Sequence, residues 1–252
     1  MSGSAWRVVA ACVPGALHVR TETPCQDAQR WSLLPDGVLL AAVADGAGSA
    51  LHPDIGARTA VESAIAYLAE SAREPWPEDD GLRCAALRGA FERARCAVEV
   101  AASDIDAPSR ELASTLILAA AGPDWVATGQ IGDGAVVVQD KAGAMRALTI
   151  PQCGELVNET SFLVSPELWA TAEFSVWHGH PAAVALFSDG IQRLALQPSD
   201  SAPRPDFLGP LFQFARDAED LGMDSADLAV FLASPWVSAQ TADDVTLLIA
   251  SR

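Results

Sequence analysis

The sequence predicts an α+β fold, a four-layer αββα sandwich in which helices flank two mostly antiparallel β-sheets. Half of the 252 residues are hydrophobic, which is enough apolar side chain for a large core. The predicted strands and helices occur in groups rather than in strand–helix–strand alternation, and most connections between strands are short, which favours antiparallel neighbours. No shift in composition marks a boundary, so we expect a single domain over residues 1–252.

In the first half of the chain, strands precede two helices. We predict strands at 6–13 and 28–34 and then a hairpin, with Asp36-Gly37 as its turn, whose second strand ends at Ala44. A helix begins at Asp54, whose side chain suits an N-cap, because the apolar residues that follow fall at helical spacing. A second, alanine-rich helix over 82–102 places its arginines on the outer face.

The second half returns to strands and ends in two helices and one more strand. Strands are predicted at 112–121, 125–132, 135–140, 171–177 and 182–188. Helices are predicted at 207–221 and 225–233, followed by a last strand at 245–250. We expect the first and last strands to close the same core.

Charge and cysteine usage exclude several classes of function. A net charge of −17 disfavours a nucleic-acid groove and an anionic membrane surface, both of which require basic residues. Five cysteines, none in a C-x-x-C pair, predict reduced intracellular thiols. The apolar stretch near the N-terminus is too short to span a membrane and has no basic residues before it. We therefore expect a soluble, cytoplasmic protein, and we also expect it to be a monomer.

Aspartates recur at the ends of the predicted apolar strands. Asp45, Asp133 and Asp189 each end such a strand and precede glycine, Asp243 comes just before the last strand, and Asp27 comes just before the second. Any one Asp-Gly pair is more often a simple turn, as we expect for Asp36-Gly37 and Asp80-Gly81. Several carboxylates at one rim would repel one another unless a cation lay between them, and oxygen-rich sites suit Mg²⁺ or Mn²⁺.

Taken in order, these segments resemble the motifs of the metal-dependent protein phosphatases of type 2C, in particular a bacterial branch of stand-alone domains. The resemblance covers nearly the whole chain and rests on "TPCQDA", "VADGAGSA", "ELASTLILA", "IGDG", "GELVNETSFL", "LFSDGI" and "DDVTLL". It implies a β-sandwich with a two-metal site at one end. It also implies hydrolysis of a phosphate ester by direct attack of an activated water, without a phosphoenzyme.

The resemblance assigns roles residue by residue. Asp45 would bridge two Mn²⁺ or Mg²⁺ ions, and the carbonyl of Gly46 would hold one of them. Asp189 and Asp243 would bind the other ion, and Asp133 with Asp189 would bind a possible third. Two residues would act on water and substrate rather than as ligands: Asp27 would orient water at the metals, and Arg20 would bind the phosphate.

The chain departs from the family pattern at several positions. Ala47 stands where many members carry a histidine that serves as general acid, and His18 and His52 are possible substitutes, although either could be structural. Glu22 occupies the usual position of the phosphate-binding arginine. Gln26 stands where a glutamate is often seen. Asp244 stands for an asparagine, a replacement that should be tolerated beside a cation.

Two further positions have a functional and a structural interpretation. Cys25, beside the first acidic motif, would make activity sensitive to oxidation if its thiol were reactive, whereas a buried thiol would be inert. The segment "VNET" at 157–160 matches a glycosylation sequon, and we expect instead a loop near the site that helps to select substrates.

The leading hypothesis is a protein phosphatase that acts on phosphoserine and phosphothreonine in protein substrates. We expect a cognate Ser/Thr kinase as its partner. Ala47 and the displaced arginine motivate an alternative, a non-catalytic module that binds a phosphoprotein or regulates a kinase. A hydrolase of small phosphate esters is a third hypothesis. Retention of Asp45, Asp189 and Asp243 favours an enzyme.

Overall fold

The computed structural model describes residues 5–71, 76–152 and 161–252. Its strands are β1 Arg7–Val13, β2 Ala28–Leu33, β3 Leu39–Ala44, β4 Leu116–Ala121, β5 Trp125–Ile131, β6 Ala135–Asp140, β7 Met145–Ala147, β8 Glu173–His178, β9 Pro181–Phe187 and β10 Val245–Ser251. Its helices are α1 Ala16–Thr21, α2 Pro53–Ser71, α3 Asp80–Asp104, α4 Leu168–Thr171, α5 Gln192–Ala195, α6 Pro205–Asp217, α7 Leu221–Leu232 and α8 Pro235–Ser238.

The strands form two five-stranded sheets. One sheet has the order β1-β10-β9-β6-β7 and the other has the order β2-β3-β4-β5-β8. Every pairing between these strands is antiparallel. The first and last strands pair along their whole length, from Arg7 opposite Ser251 to Val13 opposite Val245, which confirms that they close one core.

Three apolar clusters separate four layers. One cluster lies between the sheets, where alternate residues of β3 such as Leu39 and Val43 meet Val184 and Leu186 of β9. The other face of the second sheet packs on α2 and α3, and the other face of the first sheet packs on α6 and α7. Because β-strands direct successive side chains to opposite faces, both faces of each sheet are apolar and buried. The predicted αββα sandwich is confirmed.

Several predicted bounds were wrong. Helix α2 begins at Pro53, so Asp54 lies within its first turn rather than capping it. Strand β4 begins at Leu116 instead of residue 112, because 109–112 form a 3₁₀ turn. The last two long helices begin and end earlier than predicted, since α6 ends at Asp217 and α7 begins at Leu221.

Two interpretations around the start of α3 were also wrong. The Asp80-Gly81 pair is not a plain turn: it forms the first turn of α3, and the Asp79 side chain caps the helix by accepting from the Leu82 N–H at 3.0 Å. Arg83 does not lie on the outer face. It is buried, with its guanidinium 4.2 Å from the ring centre of Trp125, and it forms an ion pair with Asp80 at 2.9 Å. By contrast, the Asp36-Gly37 turn is confirmed, with Gly37 at φ +85°.

The cysteines and the apolar character of the helices were also considered in the sequence analysis. Cys12, Cys25, Cys84 and Cys96 carry free thiols, and Cys153 lies outside the described residues. Across the described ranges, no helix combines the length and the apolar character needed to cross a membrane.

Candidate active site

Sheet topology brings the predicted acidic residues to one end of the sandwich. Strands β3 and β5 both run antiparallel to β4, so their carboxyl ends, followed by Asp45 and Asp133, lie at the same edge of one sheet. In the other sheet the end of β9, followed by Asp189, lies beside the start of β10, preceded by Asp243. Asp27 precedes β2, whose first residue pairs with the last residue of β3.

These ends enclose a cavity of about 320 Å³. Every residue predicted to bind metal lines it: Asp45, Gly46, Asp133, Asp189 and Asp243. The remaining walls come mainly from the segment around α1 and from the residues after Gly46. Thr115 and Phe162 also line the cavity; both belong to motifs named above, but neither residue was assigned a role from the sequence. Asp27 is buried behind this cavity rather than lining it.

The backbone of Asp45 is fixed by the segment that leads into β4. The Asp45 N–H donates to Thr115 Oγ1 at 2.9 Å, and the Thr115 N–H donates to the Asp45 carbonyl at 2.8 Å. The next residue must be glycine, because a Cβ on Gly46 would lie 2.6 Å from the Gln26 carbonyl oxygen and 2.8 Å from Cβ of Pro53. The threonine of "ELASTLILA" therefore positions the central acid of the cavity.

The carboxylates of the cavity raise one another's pKa. Burial is the largest cause of the raised pKa of Asp45, and the charges of Asp27 and Asp189 add to it. Burial, and then the charge of Asp133, raises the pKa of Asp189 to about 6. Burial raises the pKa of Asp27 to about 7, although Ser188 Oγ donates to its Oδ2 at 2.7 Å and opposes the shift. Such a cluster favours protons or a cation.

The donor set fits a divalent cation. Asp189 Oδ1 is buried and receives no hydrogen bond from the described residues, and the same is true of Asp27 Oδ1. Asp45 lies against Asp189, so two acceptor groups face each other where a cation would compensate both charges. Within 5–71, 76–152 and 161–252, no three acidic, imidazole or thiol side chains already form a finished ligand set for one ion. The carboxylates thus supply the negative charge and the oxygen ligands that a divalent cation would bind.

His18 and Asp244 form a hydrogen-bonded pair on the wall of the same cavity. His18 Nδ1 lies 2.7 Å from Asp244 Oδ1, and Asp244 is almost fully buried. The Asp244 carboxylate also accepts from the backbone N–H groups of Gly15 at 2.7 Å and of Gln26 at 2.6 Å. Of the two histidines considered as substitutes at the site, His18 lines the cavity and His52 is not among its lining residues.

Arginines flank the cavity without lining it. Arg20, predicted to bind phosphate, lines an adjoining recess that shares Asp243 with the cavity. Arg193 of α5, which the sequence analysis missed, lines a second recess shared with Asp189 and Asp243. Only its position four residues after Asp189 could have indicated it.

The two remaining expectations concern Cys25 and the segment at 157–160. The pKa of the Cys25 thiol is raised by burial and then by the charges of Asp27 and Asp244, which keeps the thiol protonated and favours the inert interpretation. The "VNET" segment at 157–160 lies outside the described residues.

A sandwich of two sheets between helices, with a cavity of carboxylates at one end, is the architecture of the metal-dependent protein phosphatases. The family model described as Protein phosphatase 2C matches residues 14–233, and the chain belongs to this family. A curated relative, "Serine/threonine-protein phosphatase 3" of Escherichia coli (strain K12), is 34% identical over 251 residues, which span 97% of this chain and 98% of the relative.

Solved structures share the fold at low sequence identity. A bacterial serine phosphatase variant superposes with a TM-score of 0.68 at 12% identity, covering 97% of this chain and 96% of its own. The catalytic domain of the serine/threonine protein phosphatase PstP, described in complex with two manganese ions, superposes with a TM-score of 0.64 at 16% identity. That comparison covers 98% of this chain and 97% of PstP.

Proposed function

We propose that this chain is a Mn²⁺- or Mg²⁺-dependent protein serine/threonine phosphatase. The observation that carries the proposal is the cavity in which Asp45, Asp133, Asp189 and Asp243 converge from both sheets. The name of the E. coli relative and the two manganese ions described for PstP support the same activity and the same class of metal.

Two ions would be held by different parts of this cavity. Asp45 and the Gly46 carbonyl would hold one ion, and Asp45, Asp189 and Asp243 would hold the other. Asp133 with Asp189 would hold a third, weaker ion. Bound in this way, divalent cations lower the pKa of water and neutralise charge on a phosphoryl group.

The protein's own groups would orient the reactants. Asp27 is buried behind Asp45 and fixed by Ser188, which suits it to accept a hydrogen bond from the attacking water. His18 occupies the cavity wall with Nδ1 bound by Asp244, so in the doubly protonated imidazolium form Nε2–H would be the group that protonates the leaving oxygen. Arg20 as a phosphate ligand stays a prediction, because its side chain lines the adjoining recess.

The biological setting is also proposed. Substrates would be phosphoproteins modified by a cognate Ser/Thr kinase, and the protein would act as a cytoplasmic monomer. The free thiols of the described residues support an intracellular compartment.

The deciding experiment compares wild type with Asp45→Asn across a Mn²⁺ titration, with a phosphoserine peptide and an aryl phosphate as substrates. We expect turnover by wild type that requires Mn²⁺ and stops with EDTA. Asp45→Asn should lose at least about a hundredfold in kcat/KM, because one neutral ligand replaces the shared anion. Asp227→Asn, an exposed acid on α7, is the matched control.

Other outcomes have defined meanings. Turnover that is unaffected by EDTA would refute the proposal. Absence of Mn²⁺ binding by calorimetry, together with absence of hydrolysis of any phosphate ester, would favour the non-catalytic module that Ala47 suggested. Turnover of metabolite phosphates in strong preference to phosphopeptides would identify the small-ester hydrolase.

A further inference from the structure

An apolar groove adjoins the candidate active site. This groove is the recess described above that Arg20 lines. We call it the α1–α7 groove, because it lies between α1 and the C-terminal half of α7, and its volume is about 680 Å³. Its apolar walls include Val13, Val19, Val230, Leu232 and Val245. Val19 is 61% exposed and Val230 is 73% exposed, so both side chains are available to a ligand.

The groove continues from the carboxylate cavity. Asp243 lines both spaces, and α1 forms the wall between them. Leu17 and His18 line the cavity, whereas the next residue, Val19, lines the groove. Of the two recesses that adjoin the cavity, the groove is the apolar one, and an apolar substrate chain whose phosphate lay in the cavity would meet it on leaving.

The charges of the groove specify a complementary ligand. Arg20 is the only basic residue among the described residues that line it, and Asp243 is the only acidic one. If metal ions occupy Asp243, the groove presents apolar surface and one exposed guanidinium. That guanidinium would attract a carboxylate of the ligand.

We propose that the α1–α7 groove binds the polypeptide that flanks the phosphoresidue of a protein substrate. It takes an aliphatic side chain close to the phosphoserine or phosphothreonine. Arg20, which lines the groove and not the carboxylate cavity, contacts an acidic side chain nearby in place of the phosphoryl group. This inference rests on the proposed phosphatase function and adds to it a substrate preference located outside the metal site.

The test uses Val230→Asp, with Val100→Asp as its matched control. Val100 lies on α3, remote from the groove, and at 60% exposure it tolerates the same change. The substrates are phosphoserine peptides with leucine at successive positions around the phosphoserine and alanine elsewhere, and an aryl phosphate that has no flanking chain.

Wild type should prefer some leucine positions. V230D should lower kcat/KM for those peptides roughly tenfold through KM, while turnover of the aryl phosphate and all properties of V100D stay unchanged.

A second arm addresses Arg20 with Arg20→Gln and peptides that carry glutamate or glutamine beside the phosphoserine. Wild type should favour the glutamate peptide roughly twofold to fivefold, less at high salt, and R20Q should lose this preference. If R20Q instead lowers kcat/KM equally for peptides and the aryl phosphate, Arg20 binds the phosphoryl group and its assignment to the groove is overturned.

A binding measurement separates the failure of this inference from that of the proposed function. Fluorescence anisotropy with a labelled, non-hydrolysable phosphonate peptide reports on the groove without turnover. Weaker binding to V230D than to wild type and V100D supports the groove. Equal binding to all three overturns it, even if the enzyme hydrolyses aryl phosphate. Absence of any hydrolysis refutes the phosphatase and leaves the binding result to decide the groove.

Discussion

At the scale of single residues, the contacts of Asp244 explain why this chain has an aspartate where the family has an asparagine. Its two oxygens accept from the Gly15 and Gln26 backbone N–H groups, and His18 lies against the same carboxylate. An asparagine would offer one acceptor oxygen and would direct its NH₂ group at a donor. The carboxylate therefore suits this chain, and it holds both ends of the segment that carries α1.

His18 lies in the same cavity as Ala47, and we propose that it supplies the proton donor that Ala47 lacks. Both residues line the cavity, and Ala47 has no group to protonate a leaving oxygen. Since a carboxylate only accepts hydrogen bonds, Asp244 fixes a hydrogen on His18 Nδ1 and holds the ring in one orientation.

We predict that His18→Asn affects substrates according to their leaving group. Phosphoserine peptides have a poor alkoxide leaving group, so kcat should fall about a hundredfold, within the usual contribution of general acid catalysis. Aryl phosphates with acidic phenols should change little. The measurement is a series of aryl phosphates of graded phenol pKa, in which the dependence on leaving group should be steeper for the variant.

A purely structural role of His18 gives a different result. If the ring only supports Asp244, turnover falls by the same factor for every leaving group and the thermal midpoint falls with it. If His52→Asn rather than H18N shows the leaving-group effect, the assignment to His18 is wrong.

At the scale of elements, a close approach between α2 and the 3₁₀ turn before β4 fixes the segment that holds Asp45. A Cβ on Gly56 of α2 would collide with the backbone carbonyl of Leu112. The same turn leads to Ala113, which accepts from the Ala47 N–H at 2.9 Å, and to Thr115, which binds Asp45. The position of α2 is thereby coupled to the backbone around Asp45.

We therefore predict that Gly56→Ala destabilises the protein despite the better helix propensity of alanine. Propensity alone favours alanine by about 0.5–1 kcal/mol. The collision with backbone should outweigh it and give a net loss of about 1–3 kcal/mol in the free energy of unfolding, measured by urea denaturation. Gly89→Ala in α3 is the control, because the three atoms nearest to its Cβ would all belong to the Tyr67 side chain, which can rotate. Equal stability of the two variants would contradict this account.

At the scale of the whole molecule, the sequence was sufficient for the layers and for the carboxylate cluster. Strands that end in Asp-Gly have strong apolar patterns, and antiparallel pairing necessarily brings such ends to one edge. The contact of His18 with Asp244 was not predictable, because it joins residues 226 positions apart. Nor was the six-residue helix α1, which buries none of its residues and so has no apolar period. Arg83 was misplaced because its partner ring, Trp125, belongs to a distant strand.

The cluster also makes the stability of the whole protein depend on pH and metal. Without metal, the pKa of Asp27 is raised to about 7, that of Asp189 to about 6, and that of Asp45 is also raised. A carboxyl with a higher pKa in the folded state binds more protons when folded, so its ionisation opposes folding. The metal-free protein should therefore lose stability as pH rises from about 4 through 7, the reverse of a salt-bridged acid.

We predict that in EDTA the thermal midpoint at pH 5.5 exceeds that at pH 7.5 by about 5 °C or more, since each kcal/mol shifts it by about 2–4 °C in a chain of this size. Saturating Mn²⁺ should remove or reverse the difference, because the ion replaces protons and binds more tightly as the carboxyls ionise. Self-repulsion of the −17 chain also grows with pH, so Asp45→Asn in EDTA measures the part due to the cluster and should show a smaller difference. A midpoint that rises with pH in EDTA as it does in Mn²⁺ would mean that these carboxylates are ionised and compensated without metal.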